Sequence, residues 1–274
     1  MLDYFTTNDN FNLILSNVFN DKDFSFNIIP TGWTNIVLDV NCKNENYICK
    51  FPRNSFWAQQ IQKDCNISNF VREKMNIHSP NMKIYKIDNK CFSIHKKISG
   101  KSLAEKFKYL SNQEKEKIAE QLANIFYKMH SYNVKNIDEK YKYNYVSFLK
   151  QMIKIANNYD MKLFESLFND NNNKNNLVFA HNDINVGNII INDDNNIVAI
   201  IDYAFAGLAD IYTDLSVISC RTDDVFYNKL INEYSNLSNI TINKDKLNNR
   251  IKLRQHLEDV YIEYIKNNCF DIKI

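Results

Sequence analysis

Hydrophobic and polar positions alternate in two distinct ways along this chain, and the change falls near Gly100. Before it, "NIVLDV" (35–40) and "NYICKF" (46–51) alternate with period two around the polar turn "NCKNE", as paired strands do. "MKIYKI" (82–87) and "CFSIHK" (91–96) repeat the pattern around "DNK". Between these hairpins, residues 55–75 place Trp57, Ile61, Ile67 and Phe70/Val71 at helical spacing, with Ser55 as the expected cap. A short helix is predicted over 10–19. After Gly100 the helical period dominates. Ser111-Asn-Gln-Glu114 is a capping box, and behind it Ile118, Leu122, Ile125, Phe126 and Met129 form one apolar stripe. Further helices are predicted over 145–168, 213–235 and 245–267, with a polar surface loop at 169–176. One short buried strand, "LVFAH" (177–181), and a hairpin, "NIIIN" and "NIVAIID" about the turn "DDNN", interrupt them. The pattern predicts an α+β protein with a small β-rich part holding one inserted helix and a larger, mainly helical part.

Composition narrows the function classes. The chain has 274 residues, 45% of them hydrophobic and 13% aromatic, which is ample for a buried core. A formal charge of +2 argues against nucleic acid as a partner. Asp3 stands where the basic start of a signal peptide would be, and no apolar run is long enough to span a bilayer. The six cysteines form no C-x-x-C and the five histidines are scattered, so reduced thiols, a cytoplasmic setting and no zinc site are expected. Glycine is the informative scarcity. The chain holds four, where average usage would give roughly nineteen. They are Gly32, Gly100, Gly187 and Gly207, positions where backbone geometry is expected to demand them.

The candidate chemistry lies in "HNDINVGNIIINDDNNIVAIIDYAFAGLAD", from His181 to Asp210. Asp183 and Asn188 precede the hairpin and Asp202 closes it, so the hairpin folds Asp202 back towards the loop. Asp202 directly follows an apolar strand, and a carboxylate there needs a partner such as a metal ion. Mg²⁺ takes one or two carboxylate or carbonyl oxygens and completes its shell with water and phosphate. Asp202 and Asn188 suit it, which leaves Asp183 to face an acceptor hydroxyl. Asp193 and Asp194 read as a solvated turn.

His181-Asn-Asp183-x-x-x-x-Asn188 has the spacing of a kinase catalytic loop, and Asp202-Tyr-Ala stands where kinases carry Asp-Phe-Gly. With "GLADIYTDL" after it, the segment resembles the aminoglycoside phosphotransferase and choline kinase-like family. "GWTNIVLDV" and "ICKFPR" resemble that family's nucleotide loop and lysine strand, and "ISGKSL" its inter-lobe segment. The resemblance runs from about residue 30 to 215. It implies a two-lobed protein-kinase-like fold, with a nucleotide-binding lobe over 1–96 and a catalytic and substrate-binding lobe over 97–274.

Carried over, the resemblance has Lys50 contact the nucleotide phosphates and Gly32 and Asn35 line the nucleotide. The family's helix Glu, which pairs with that lysine, is matched by the shorter Asp64, with Glu73 as the alternative. Asp183 would orient the hydroxyl and accept its proton, and Asn188 and Asp202 would hold Mg²⁺. His181 and Asp214 would be structural supports, and Asp210 could serve as support or ligand.

The implied activity is transfer of a phosphoryl group from ATP or GTP to a small-molecule hydroxyl by a monomer or homodimer. An aminoglycoside acceptor, and with it antibiotic resistance, would need carboxylates, for which Asp223, Asp224, Glu258, Asp259, Glu263 and Asp271 are available. Choline would need an aromatic cage, from Tyr203, Tyr212, Tyr261, Tyr264 and Phe270. A macrolide, thiamine and an inactive nucleotide-binding module remain alternatives.

Overall fold

A computed structural model describes residues 4–7, 9–30, 34–139, 165 and 177–268, with side chains up to Glu258. The predicted helix 145–168, the loop 169–176 and Gly32 fall outside the described residues, apart from Glu165. Helix α1 (Phe11–Phe19) leads into a five-stranded antiparallel sheet. Its strands are β1 (Phe24–Ile29), β2 (Asn35–Cys42), β3 (Glu45–Pro52), β4 (Lys83–Ile87) and β5 (Lys90–Lys96), in the order β1-β2-β3-β5-β4. Period two divides its faces. Ile36, Leu38 and Val40 of β2 join Cys49, Phe51, Phe92 and Ile94 beneath Phe5, Phe11, Ile14 and Leu15. The register sets Lys50 opposite Val37 and Ser93, on the other face.

Helix α2 (Ser55–Lys74) covers that second face, between β3 and β4 as the pattern predicts. Its cap is Asn54, one residue before the expected Ser55, and the Asn54 side chain accepts from the Trp57 N–H. The far end of α2 leaves the sheet. Ile67, Phe70 and Val71 enter the core of the helical lobe, where Phe70 meets the Phe179 ring at 5.9 Å. One rigid helix therefore ties the sheet to the second lobe.

Chain direction changes at Gly100, whose φ is +138°. A Cβ there would stand 2.5 Å from the Ile191 carbonyl oxygen, so only glycine lets the crossing strand β6 (Lys101–Ser102) lie against β8 (Ile189–Ile191). The helical lobe is built on α3 (Leu103–Lys106) and α4 (Asn112–His130). Its capping box forms as expected, and Ile118, Leu122, Phe126 and Met129 are buried, with Ile125 at the core's edge. Strand β7 (Val178–Ala180) pairs with β10 (Gly207–Ala209), and β8 pairs with β9 (Ile197–Ile200) as the predicted hairpin.

The single helix expected over 213–235 is two: α5 (Ile211–Ser219) and α6 (Asp224–Ser238). Asp223 divides them because its side chain accepts from the Phe226 N–H and starts a new helix. Helix α7 (Lys244–Asn268) follows. Among the described residues, no helix is long and apolar enough to cross a membrane.

Candidate active site

Short β7 ends at Ala180, and the loop that His181 opens is held from below by one buried carboxylate. Asp214, on α5, accepts the backbone N–H of His181 at 2.9 Å and of Asn182 at 2.7 Å. His130 Nε2 lies 3.1 Å from the same carboxylate, and His130 Nδ1 meets the Tyr234 hydroxyl at 2.9 Å. Burial works to raise the Asp214 pKa, but His130 and the loop N–H groups overcome it and hold it below the ordinary carboxylate value. Three helices thus converge on Asp214, one of the two supports that the resemblance implies. His130 and Tyr234 did not stand out in sequence. The available signal was a His ending the apolar stripe of α4, four residues beyond Phe126.

Within the loop, Asn182 takes a left-handed conformation (φ +66°) and its Nδ2 donates to the Phe205 carbonyl at 3.0 Å. His181 is fully buried. Its Nδ1 receives the Asp183 N–H at 3.3 Å, so that nitrogen is an acceptor. Nε2 then carries the proton and donates to the Ile201 carbonyl at 3.1 Å. The ring packs 4.6 Å from Tyr203. Asn188 Nδ2 donates to the Asp183 carbonyl at 2.8 Å, and the Asn188 carbonyl accepts the Ile201 N–H at 3.0 Å. These bonds set Asn188 beside the residue that precedes Asp202. Among the described residues no donor reaches Asn188 Oδ1.

Asp202 itself is left-handed (φ +67°) and exposes 44% of its side chain. Its Oδ1 is 3.6 Å from Lys50 Nζ. Lys50 Nζ is also 2.9 Å from Asp64 Oδ2, while Asp64 Oδ1 accepts the Tyr203 N–H at 2.8 Å. Asp64 therefore links strand, helix and the Asp202 turn. Burial opposes the Lys50 charge, but the carboxylates of Asp202 and Asp64 outweigh it and raise the lysine's pKa. Glu73, the alternative partner, is exposed and meets Arg72. Asn35 shares the Lys50 face at the start of β2. Its Nδ2 donates to Thr34 Oγ1, and its buried Oδ1 has no hydrogen-bond partner.

On the other side of the loop, Asp183 Oδ1 accepts from Arg254 Nη2 at 2.9 Å. Burial raises the Asp183 pKa, Arg254 opposes this and Asp202 adds to it, with the net shift upward. Arg254 did not stand out in sequence, since a lone Arg on a polar helix gives no signal. Asp210 is enclosed by Arg250, whose Nη2 lies 2.8 Å from its Oδ2.

Two of the acidic residues considered for an acceptor are engaged elsewhere. Asp223 caps α6 and meets Lys115 at 2.7 Å, and Glu258 meets Arg221 at 3.4 Å. Of the aromatic residues, Tyr203 is fully buried, and the Tyr212 hydroxyl accepts the Asn243 N–H beneath Lys246. The side chains of Asp259, Tyr261, Glu263 and Tyr264, and residues Phe270 and Asp271, lie outside the described residues.

The donor set suits a hard cation completed by phosphate. It offers one half-exposed carboxylate and one amide oxygen, with a charged lysine beside them. Among the described residues no group of three or more His, Cys, Asp and Glu could hold a metal by itself.

The sequence pattern of the phosphotransferase enzyme family matches residues 25–237. No curated protein sequence matches the chain. Several solved structures share its fold. The GDP complex of a variant of aminoglycoside 2'-phosphotransferase-IIIa superposes with a TM-score of 0.70 at 17% identity, covering 94% of this chain and 93% of that one. The streptomycin–ATP ternary complex of APH(2")-IIa gives 0.67 at 17% identity, covering 94% and 91%. Macrolide 2'-phosphotransferase type I gives 0.67 at 11% identity, covering 99% of each chain.

Proposed function

The chain belongs to the phosphotransferase enzyme family, and from that premise we propose that it transfers the γ-phosphoryl group of ATP or GTP to a hydroxyl of a small molecule. The observation that carries this reading is Lys50, held between Asp64 and Asp202 at 2.9 and 3.6 Å, beside the loop that bears Asp183 and Asn188. Lys50 would bind the nucleotide phosphates, and Asp64 would keep it extended towards them. Asn188 and Asp202 would hold Mg²⁺, which when bound neutralises the charge on the phosphate oxygens. Asp183 would orient the acceptor hydroxyl.

In the transfer, the hydroxyl oxygen bonds to the γ-phosphorus. The bond from that phosphorus to the bridging oxygen breaks, the nucleoside diphosphate leaves and the hydroxyl proton passes to Asp183. Phosphoryl transfer needs mainly position and electrostatic stabilisation, which a fixed lysine, a pair of metal-holding side chains and an aligned carboxylate would supply. Both donors are cytoplasmic nucleotides, so the activity is assigned there.

Aminoglycosides are the acceptor class we propose, because similar structures include complexes with streptomycin, kanamycin and gentamicin. A resistance role would follow from that chemistry. Macrolides are the second reading, favoured by the match along 99% of a macrolide phosphotransferase. The test is release of ADP or GDP with an acceptor panel of aminoglycosides, macrolides, choline and thiamine, with and without Mg²⁺. Mg²⁺-dependent release driven by an aminoglycoside is the expected result. Bound nucleotide with no transfer to any acceptor would replace the enzyme reading with that of an inactive nucleotide-binding module.

A further inference from the structure

Helix α7 turns one face towards the catalytic loop. Lys246, Arg250, Arg254 and Glu258 stand four residues apart, which puts them on a single helical face. Arg250 meets Asp210 at 2.8 Å, Arg254 meets Asp183 at 2.9 Å and Glu258 meets Arg221 at 3.4 Å. The Arg250–Asp210 pair is almost wholly enclosed, and Leu253 and Leu257 are buried beside it. Packing of the whole helix, rather than the reach of one long side chain, therefore sets where Arg254 stands. Its guanidinium lies against the carboxylate assigned to the acceptor.

That placement constrains the acceptor. An ammonium group next to the target hydroxyl would be brought up to a fixed guanidinium, and like charges in a partly desolvated site repel. Asp210 and Glu258, which meet the same helical face, each already face a cation. A carboxylate oxygen and a guanidinium N–H at hydrogen-bond distance do suit two hydroxyls on adjacent carbons. One hydroxyl donates to Asp183, and its neighbour accepts from Arg254. Resting on the phosphotransferase reading, we propose that the target hydroxyl belongs to a vicinal diol and that Arg254 is the specificity-determining residue selecting it over an amino alcohol.

The test uses matched aminoglycosides and neutral glycosides in which the same hydroxyl is flanked by a hydroxyl, an amine or hydrogen. Wild-type protein, Arg254→Ala and Arg254→Lys are compared, and the phosphorylated position is located by NMR. Wild type is expected to favour the diol over the amine by at least about tenfold in kcat/KM. Arg254→Ala should erase or reverse that preference, while nucleotide affinity stays unchanged. Arg254→Lys keeps the charge, so it should still reject the amine but lose part of the preference for the diol over hydrogen. This comparison stands even if the Ala variant does not fold. Equal use of diol and amine by wild type, or a preference untouched in Arg254→Ala, overturns this inference alone. No transfer to any acceptor while nucleotide still binds overturns the phosphotransferase reading and this inference with it.

Discussion

At the end of the cleft assigned to the nucleotide, Lys50 and Asp64 lie fourteen residues apart in the chain, and both oxygens of Asp64 are bonded. At the end assigned to the acceptor, Asp183 meets Arg254, seventy-one residues further along. At the nucleotide end the partners come from one strand, one helix and the Asp202 turn. At the acceptor end the contact comes from a helix far along the chain. Phosphate groups make the same demands wherever they bind, so a strand, a helix and a turn can answer them with local motifs. Acceptors differ, and the part of the site assigned to them is assembled from distant chain. Variants at the two ends should therefore fail differently.

The largest effect is expected at Asp202, which meets Lys50 at 3.6 Å and is proposed as a metal ligand. Asp202→Ala should lower kcat by at least about a thousandfold, since it removes the single carboxylate of the metal pair. Circular dichroism and the thermal midpoint should change little, because the side chain is half exposed. Near-normal turnover at saturating Mg²⁺ would reject the metal assignment.

Asp64 comes next, and here stability moves with function. Asp64→Ala leaves Lys50 with only Asp202 and orphans the Tyr203 N–H. Breaking a buried ion pair in this way costs about 3 kcal/mol or more, so the thermal midpoint should fall together with nucleotide affinity. Asp64→Glu is the sharper probe. The site is enclosed and bonded through both oxygens, so an added methylene displaces one bond and overpacks the helix against the sheet. A Glu variant as stable and active as wild type would show that the helix can shift outward.

Asp183→Asn should lower kcat about a hundredfold or more while nucleotide affinity holds. Stability should respond less than in Asp64→Ala, because the Asn side chain keeps an oxygen for Arg254. A loss confined to nucleotide affinity would move Asp183 to the nucleotide end and dissolve the comparison.

These two ends were unequally legible in the sequence. The juxtaposition of Asp183, Asn188 and Asp202 across the hairpin was readable because these residues lie in one short stretch of chain. The hairpins and the Ser111 box were readable for the same reason. The break in helix 213–235 is missed because Asp223 is read as a carboxylate for the acceptor, although its cap position decides the break. Asn54 was passed over as a cap because asparagine is so common in this chain. Strand β1 carries its period-two signal in Phe24, Phe26 and Ile28 alone, with no turn motif tight enough to pair it with β2. Arg254, His130 and Tyr234 act across 71 to 104 residues, and one sequence holds no pattern that joins positions so far apart.

The smallest expected effect concerns the nucleotide end as a folding unit. His95, on β5 and on the same face of the sheet as Lys50, is 8% exposed and its Nδ1 meets the Lys96 carbonyl at 2.9 Å. Burial pushes its pKa from 6.5 down to about 4, and the Lys50 charge adds to this against the partial support of that carbonyl. The folded protein thus keeps His95 neutral where the unfolded chain would protonate it. A depressed folded pKa means that this stability is fully present above about 6.5 and is lost as pH falls towards about 4. Between pH 7.5 and 5 the loss is roughly 2 kcal/mol, from the linkage of one such group. Urea midpoints measured across that range should fall for wild type and fall less for His95→Gln, which keeps a hydrogen-bonding side chain without the titration. Lys50→Met should also flatten the slope slightly, since it removes one charge that disfavours protonation. If His95→Gln follows the wild-type curve through pH 5, the acid sensitivity originates elsewhere, and the sheet behind Lys50 is not the element that gives way first.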